Sequence, residues 1–131
     1  MKSTIIAVII GVVLVGGTLM FSKKTPARQI ETTTAVNNVT ETDGIQSISI
    51  IAKGGYSPKL VTAKADTKTI LKVQTNGTFD CSASLNIPAL SYQKNLPATG
   101  ITEVELPPQK AGTTIEGLCG MGMYKFEIAF K

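Results

Sequence analysis

The amino-acid sequence predicts an all-β fold, a sandwich or a barrel, over residues 45–131. Apolar and polar residues alternate there in short runs, which is the pattern of strands with one buried face. Clusters of turn residues, such as Lys53-Gly54-Gly55-Tyr56-Ser57-Pro58, separate these runs at short intervals. The same part of the sequence contains no stretch with the period of an amphipathic helix. These observations together favour packed sheets over a helical architecture.

Six runs are predicted as strands, each bounded by turn residues or proline. They cover residues 46–52, 69–75, 81–87, 102–106, 113–119 and 124–130. Pro88 ends the third run and Pro107 ends the fourth, because proline lacks the N–H that a central strand needs. The residues expected to face the core are Ile48, Ile50, Ala52, Leu71, Val73, Cys81, Ala83, Leu85, Ile87, Thr102, Val104, Leu106, Phe126, Ile128 and Phe130. A domain of this size buries a modest core, so a disulfide or a metal would add to its stability.

Residues 1–23 are predicted to form a membrane anchor. Ile5 to Phe21 is an uncharged apolar run that spans about 25 Å as a helix, the lower end of what crosses a bilayer. A cleaved signal segment is the alternative. The run is followed by Phe21-Ser22-Lys23-Lys24 without a small-residue cleavage motif, which favours an uncleaved transmembrane helix.

Residues 24–44 are rich in Thr, Asn and Glu and poor in large apolar residues, so a flexible linker is expected there.

Two opposing observations bear on the side of the membrane on which the domain lies. Lys23, Lys24 and Arg28 outnumber Lys2, which by the positive-inside rule favours the cytoplasm. A short N-terminal tail before a long domain is typical of an outward-facing protein. We expect a single-pass protein of the cell membrane with an extracytoplasmic domain.

Composition excludes several classes of function. The net charge is +4, but the lysines are scattered and are not interleaved with aromatic residues, so no nucleic-acid partner is expected. The chain has no histidine. Ser82 and Ser84 therefore lack the base that an ordinary catalytic triad needs, and we expect the protein not to be an enzyme.

Sulfur is concentrated near the C-terminal end, in Cys119-Gly120-Met121-Gly122-Met123. The only other cysteine is Cys81. Thiolates and thioethers are the ligands that select Cu(I) among the biological metals. Glycines at 120 and 122 permit a tight turn that lets both methionine sulfurs approach one point. The sequence therefore predicts a Cu(I) site with Cys81, Cys119, Met121 and Met123 as candidate ligands.

Other interpretations of these residues remain open. The two cysteines of an exported domain can form a disulfide, share a copper ion or stay free, and a disulfide that opens to bind copper combines the first two. Met121 and Met123 can instead fill the core. The protein would then be a redox protein that uses the Cys81–Cys119 pair, or a metal-free β-domain with a disulfide staple. Both main interpretations require the two Cα atoms to lie within about 7 Å.

The order of motifs resembles that of a cupredoxin-like domain of the small prokaryotic kind, found beside copper transporters. The motifs are Gly54-Gly55-Tyr56-Ser57-Pro58, Leu85-Asn86-Ile87-Pro88, Val104-Glu105-Leu106-Pro107 and finally Cys119-Gly120-Met121-Gly122-Met123. The resemblance covers roughly residues 45–131 and implies a Greek-key β-sandwich with its ligand loop between the last two strands. It also implies a copper transporter or another copper protein as partner.

The sequence is more distantly similar to the binuclear copper domain of cytochrome oxidase subunit II. In that alignment Ala83 and Met123 stand where that family has histidine ligands, and Cys81 lies two residues before Ala83. Phe126 replaces a glycine common after the loop in related domains. The resemblance thus implies a site in which sulfur has replaced imidazole.

Overall fold

The computed structural model describes residues 38–131 of the chain. The predicted anchor and the predicted linker as far as residue 37 lie outside the described residues. Within residues 38–131 no helix is long and apolar enough to cross a membrane.

Ten strands and two single-turn 3-10 helices make up the described chain, which confirms the predicted all-β class. The strands are β1 (Val39–Thr42), β2 (Ile45–Ala52), β3 (Tyr56–Ser57), β4 (Leu60–Ala63), β5 (Lys68–Asn76), β6 (Ser84–Ile87), β7 (Tyr92–Asn95), β8 (Thr99–Leu106), β9 (Thr114–Cys119) and β10 (Lys125–Phe130). The 3-10 turns are Cys81–Ala83 and Pro88–Leu90.

The strands form two five-stranded sheets. The first has the order β1-β2-β5-β8, with β3 also paired to β2, and the second has the order β4-β10-β9-β6-β7. The chain crosses from one sheet to the other repeatedly, as the connections of a Greek-key sandwich do. As a result β2 pairs with β5 in parallel and β10 pairs with β4 in parallel, whereas the other pairings are antiparallel.

Alternation along most strands sends apolar side chains into one core between the sheets. In β5 and β8 the buried positions occur at every second residue, as the period of two requires. The largest fully buried apolar side chains are Phe126, Phe130, Ile48, Ile50, Leu71, Leu85, Ile87, Leu106, Ile115 and Ile128. The ring of Phe126 lies directly over Gly117, where a Cβ atom would overlap the ring. The core therefore needs a glycine at 117 in β9.

Buried polar side chains interrupt the apolar core in a few places, and their hydrogen bonds are made. The Gln46 amide donates to the Lys64 carbonyl at 2.7 Å and to the Thr69 hydroxyl at 2.8 Å, and its oxygen accepts from the Lys64 N–H at 3.0 Å. Gln46 thus joins β2 to the segment that follows β4. Among residues 38–131 no buried side-chain nitrogen or oxygen lacks a partner.

Several details differ from the sequence-based expectations. Strands β3, β4 and β7 were not predicted, and in the Cys81–Ala83 turn it is Ser82, not Cys81 or Ala83, that is fully buried. Strand β1 falls inside the range 24–44, for which a flexible linker was expected, and pairs with β2 from Val39–Ile48 to Thr42–Ile45. It has a single apolar residue, so no hydrophobic alternation marks it. Cys81 does not begin a strand, because residues 81–83 form a 3-10 turn and β6 begins at Ser84.

Candidate metal site

The two cysteines lie at the same end of the sandwich, on adjacent elements of the second sheet. Cys119 is the last residue of β9 and is paired across the sheet with Leu85 of β6. Cys81 occupies the 3-10 turn that leads into β6. Their Cα atoms are 5.7 Å apart, and their sulfur atoms are at disulfide-bonding distance. The prediction that the cysteines are close in space is therefore confirmed.

Asp80 fixes the turn that carries Cys81. Its carboxylate accepts hydrogen bonds from the Ser82 N–H at 2.8 Å, the Ser82 hydroxyl at 2.5 Å and the Gly54 N–H at 2.9 Å. These bonds, that of the Ser82 hydroxyl above all and then that of the Gly54 N–H, lower the pKa of Asp80 to about 2. The carboxylate is thus ionised at neutral pH and ties the β2–β3 turn to the Cys81 turn.

Cys119 is only 2% exposed and makes hydrogen bonds through its N–H, its carbonyl and its sulfur. Its N–H donates to the Tyr124 carbonyl at 2.9 Å, and its carbonyl accepts from the Gly122 N–H at 2.8 Å. Its sulfur accepts from the Tyr124 N–H at 3.3 Å. Cys81 is partly buried against the same core. One sulfur therefore sits on a fixed strand end and the other on a short surface turn.

Met121 and Met123 lie in the loop between β9 and β10, directly after Cys119. They are 79% and 66% exposed, so neither fills the core. Gly122 has a φ of +71°, which lets the loop turn back toward β10. A Cβ atom at Gly120 would be 2.7 Å from the Ser84 hydroxyl, so the loop can approach β6 this closely only with a glycine there. The loop presents two thioethers to solvent beside the cysteine pair.

Tyr56 is a residue of this region that the sequence analysis assigned only to a turn. It forms β3, is buried, and packs edge-on against Phe126 with ring centroids 5.1 Å apart. Its hydroxyl donates to the Ser82 carbonyl at 3.3 Å, beneath the Cys81 turn. Burial, with a smaller effect of the Asp80 charge, raises the pKa of Tyr56 to about 12. The pattern Gly-Gly-Tyr-Ser-Pro signals a turn, but nothing in it marks the tyrosine as support for the site.

A cleft of about 350 Å³ opens beside Met123. Its lining includes Lys53, Lys59 and Lys125 together with the ring of Tyr124. Cationic side chains repel a bare metal ion, so these lysines are not metal-binding residues. Within the described chain no three His, Cys, Asp or Glu side chains cluster as a metal site. A metal held by both cysteines would therefore depend on methionine sulfur for any further protein side-chain ligand.

Comparison with known proteins places this geometry among related folds. The family model of cupredoxin-like domains matches residues 11–128. The chain is similar to the metal-binding domain of the Cu(I)-exporting P-type ATPase CopA of Streptococcus pneumoniae D39, solved with Cu(I). The TM-score is 0.63 and the identity 20%, over 71% of this chain and 92% of that chain.

A second solved structure is that of a copper binding protein in the apo form, determined in solution by NMR. It is 24% identical to this chain with a TM-score of 0.64, and the match covers 71% of this chain and 94% of that chain. At such identities both structures establish the shared fold and not the shared ligand. No curated protein sequence matches the chain.

Proposed function

This chain belongs to the family of cupredoxin-like domains, and from that premise we propose that it is a copper-binding protein that holds Cu(I) through sulfur ligands. The observation that carries the proposal is the juxtaposition of Cys81 and Cys119 beside a loop with two exposed methionines. Two proteins with this fold, a domain solved with Cu(I) and a copper binding protein, support copper as the metal.

The donor set of the site fits Cu(I). Cu(I) is a soft ion that accepts two to four sulfur ligands without a demanding geometry. Two thiolates on one ion are roughly 3.5–4 Å apart, since each metal–thiolate bond is about 2.3 Å. A Cα separation of 5.7 Å accommodates that spacing after the disulfide is reduced. The Cys81 and Cys119 thiolates would then bind the ion, with Met121 or Met123 completing its coordination.

Imidazole-dependent copper sites do not fit this chain. A blue-copper centre takes two histidines with its cysteine, and the sequence contains no histidine. The ion that these residues suit has a filled d shell and gives a colourless protein. We therefore propose a role in holding copper for delivery, buffering or detoxification, without enzymatic activity.

The cellular setting is a further part of the proposal. We propose that residues 1–23 anchor the protein in the cell membrane as a single span and that the domain faces the extracytoplasmic side. A copper transporter or another copper protein would then be its partner. Alkaline extraction of membranes checks the anchor, because a spanning protein stays in the pellet. Digestion of intact cells with an external protease checks the side, and full protection of the domain would contradict an extracytoplasmic location.

A copper titration of the reduced full-length chain in detergent, competed against a cuprous chelator, tests the ligands. We expect one Cu(I) per chain. Cys119→Ala should abolish binding because this residue anchors the ligand loop, and Cys81→Ala should weaken it by tenfold or more, about 1.4 kcal/mol. Met123→Leu should weaken binding less, since a thioether is neutral and replaceable, and Met121→Leu shows which methionine faces the ion. Unchanged affinity in the Cys119 variant would contradict the proposal.

A second candidate function is thiol redox chemistry or a metal-free structural role, and the pairing of the two sulfurs favours it. A staple or a redox pair needs the two cysteines and not the methionines. Copper stoichiometry on reduced protein separates the candidates, because neither alternative predicts one tightly bound Cu(I) per chain.

A further inference from the structure

We propose that Cys81 is the sulfur at which an external dithiol opens the Cys81–Cys119 disulfide, with Cys119 as the leaving sulfur, so that thiol exchange at Cys81 precedes metal loading. This inference rests on the proposed function, since it assumes that the reduced pair is the form that binds Cu(I). It adds a reaction partner, a dithiol reductant, and a definite site of attack.

The first argument is the direction from which each sulfur can be reached. An attacking thiolate approaches along the S–S axis, on the side opposite the leaving sulfur. Cys119 is 2% exposed and belongs to the core, so the surrounding protein blocks approach to its sulfur. Cys81 itself is partly exposed, and the preceding residues Phe79 and Asp80 are exposed, although Ser82 after it is buried. Approach from solvent therefore leads to Cys81.

The second argument concerns the leaving group. The Tyr124 N–H already donates to the Cys119 sulfur at 3.3 Å, and a hydrogen bond of this kind strengthens when the sulfur becomes anionic. The backbone bonds of Cys119 to Tyr124 and Gly122 keep the released thiolate in place. No such contact to the Cys81 sulfur occurs within the described residues. This contact stabilises a Cys119 thiolate and, in the described chain, has no counterpart at Cys81, so it favours Cys119 as the leaving sulfur.

The third argument is the space that a mixed disulfide requires. After the attack, the reductant is covalently attached to the Cys81 sulfur and needs room there. Cys81 belongs to a turn of only three residues, which lies between Asp80 and β6. The Ser82 and Gly54 N–H groups donate to the Asp80 carboxylate, and neither hydrogen bond involves the Cys81 sulfur. Cys119 could carry the same group only by displacing core residues around β9.

The exchange balances as two thiol–disulfide steps. The dithiol thiolate attacks the Cys81 sulfur, a bond forms between them, the Cys81–Cys119 bond breaks, and Cys119 leaves with the electron pair. The second thiol of the reductant then attacks the reductant's first sulfur, the one bonded to Cys81, and releases the Cys81 thiolate. The reductant ends as a disulfide, and the protein gains two electrons and two protons.

A monothiol traps the first step, because it has no second thiol to complete the reaction. We choose 2-mercaptoethanol since it is a small monothiol that carries no charged group other than its attacking thiolate. The oxidised full-length chain in detergent is treated briefly, quenched with iodoacetamide and digested with trypsin. Cleavage after Lys72, Lys94, Lys110 and Lys125 places the cysteines in separate peptides, 73–94 and 111–125.

We expect the mercaptoethanol adduct on Cys81 and the carbamidomethyl label on Cys119, in at least tenfold excess over the reverse labelling. The Cys81→Ser/Cys119→Ser double variant should carry neither label and serves as the control. Equal labelling, the adduct on Cys119, or a protein whose cysteines do not form the disulfide would overturn the proposal.

A parallel titration keeps this inference separate from the proposed function. If reduced protein binds Cu(I) but the adduct falls on Cys119, the direction of attack is wrong and the copper site stands. If the adduct falls on Cys81 but oxidised and reduced protein bind Cu(I) equally, attack occurs as described, but it does not control loading and the thiolate ligands are wrong. Loss of Cu(I) binding on oxidation, together with the adduct on Cys81, supports both.

Discussion

Asp80 shows how one side chain at the residue scale organises the neighbourhood of a candidate ligand. Its carboxylate caps the Cys81 turn and reaches across to Gly54, so it joins two loops that are 26 residues apart. It accepts only from N–H and O–H donors, which is the arrangement that holds a carboxylate ionised. The position of Cys81 therefore depends on the charge of its neighbour.

The first prediction concerns acid. The folded pKa of Asp80, about 2, is below the ordinary value of 3.8, so ionised Asp80 stabilises the fold above pH 4. That stabilisation is lost as the pH falls through the folded pKa. Asp80→Asn should lower the melting temperature at pH 7, and the difference from wild type should shrink between pH 4 and 2. Thermal melts across this range measure it.

Ser82→Ala is the matched control for that experiment, since it removes the main hydrogen bond to Asp80 and keeps the carboxylate. At pH 7 the difference in melting temperature between Ser82→Ala and Asp80→Asn should be smaller than that between wild type and Asp80→Asn. A gap between wild type and Asp80→Asn that stays constant from pH 5 to pH 2 would contradict the assignment.

The candidate ligand residues could be identified from the sequence because their residue type is rare in the chain. Cys81 and Cys119 are the only cysteines, and the alternation of glycine and methionine after Cys119 marks the loop without knowledge of its fold. Asp80 and Tyr56 were not predictable as support for the site. Their roles arise from contacts with Gly54 and Ser82 across the turns, and these contacts exist only after the sheets have assembled.

At the element scale, β1 is the clearest case of structure without a sequence signal. Its residues are mostly polar and exposed, and its only apolar side chain, Val39, packs against the core. Strands with a strict alternation, such as β5 and β10, were predictable because one face of each is entirely buried. An edge strand such as β1 is specified by backbone pairing with β2, which leaves little trace in side-chain hydrophobicity.

The second prediction tests the contribution of this strand. A chain that begins at Ile45 should still fold but should be less stable than one that begins at Asn38 by about 1–2 kcal/mol. The reason is the loss of the partly buried Val39 side chain and of the strand pairing. Urea unfolding of the two chains measures the difference.

Val39→Ser in the longer chain separates the two contributions, since it removes the apolar contact and keeps the pairing. Identical urea midpoints for the chains beginning at 38 and at 45 would show that β1 adds nothing to the fold.

At the scale of the whole molecule, the cysteine pair closes a loop of 38 residues that spans both sheets. In the chain-entropy model a closure of this length stabilises the fold by about 4 kcal/mol.

A third prediction follows because the same two sulfurs form the disulfide and are the proposed Cu(I) ligands. Reduced protein should melt below oxidised protein, and Cu(I) should raise the melting temperature of the reduced form by mass action.

Differential scanning calorimetry of oxidised, reduced and Cu(I)-treated reduced protein measures these three states. The Cys81→Ser/Cys119→Ser variant controls for nonspecific effects of copper and should not respond to it. A reduced wild-type protein whose melting temperature is insensitive to Cu(I) would contradict metal binding by the pair.

The placement of β10 has a consequence for the biogenesis of the protein. This strand, residues 125–130, lies between β4 and β9 and supplies the most buried aromatic residues, Phe126 and Phe130. The second sheet therefore lacks an interior strand until Phe130 has been synthesised, however early β4 emerges from the ribosome. The native core is therefore incomplete until residues 125–130 have been synthesised, because Phe126 and Phe130 both come from this strand.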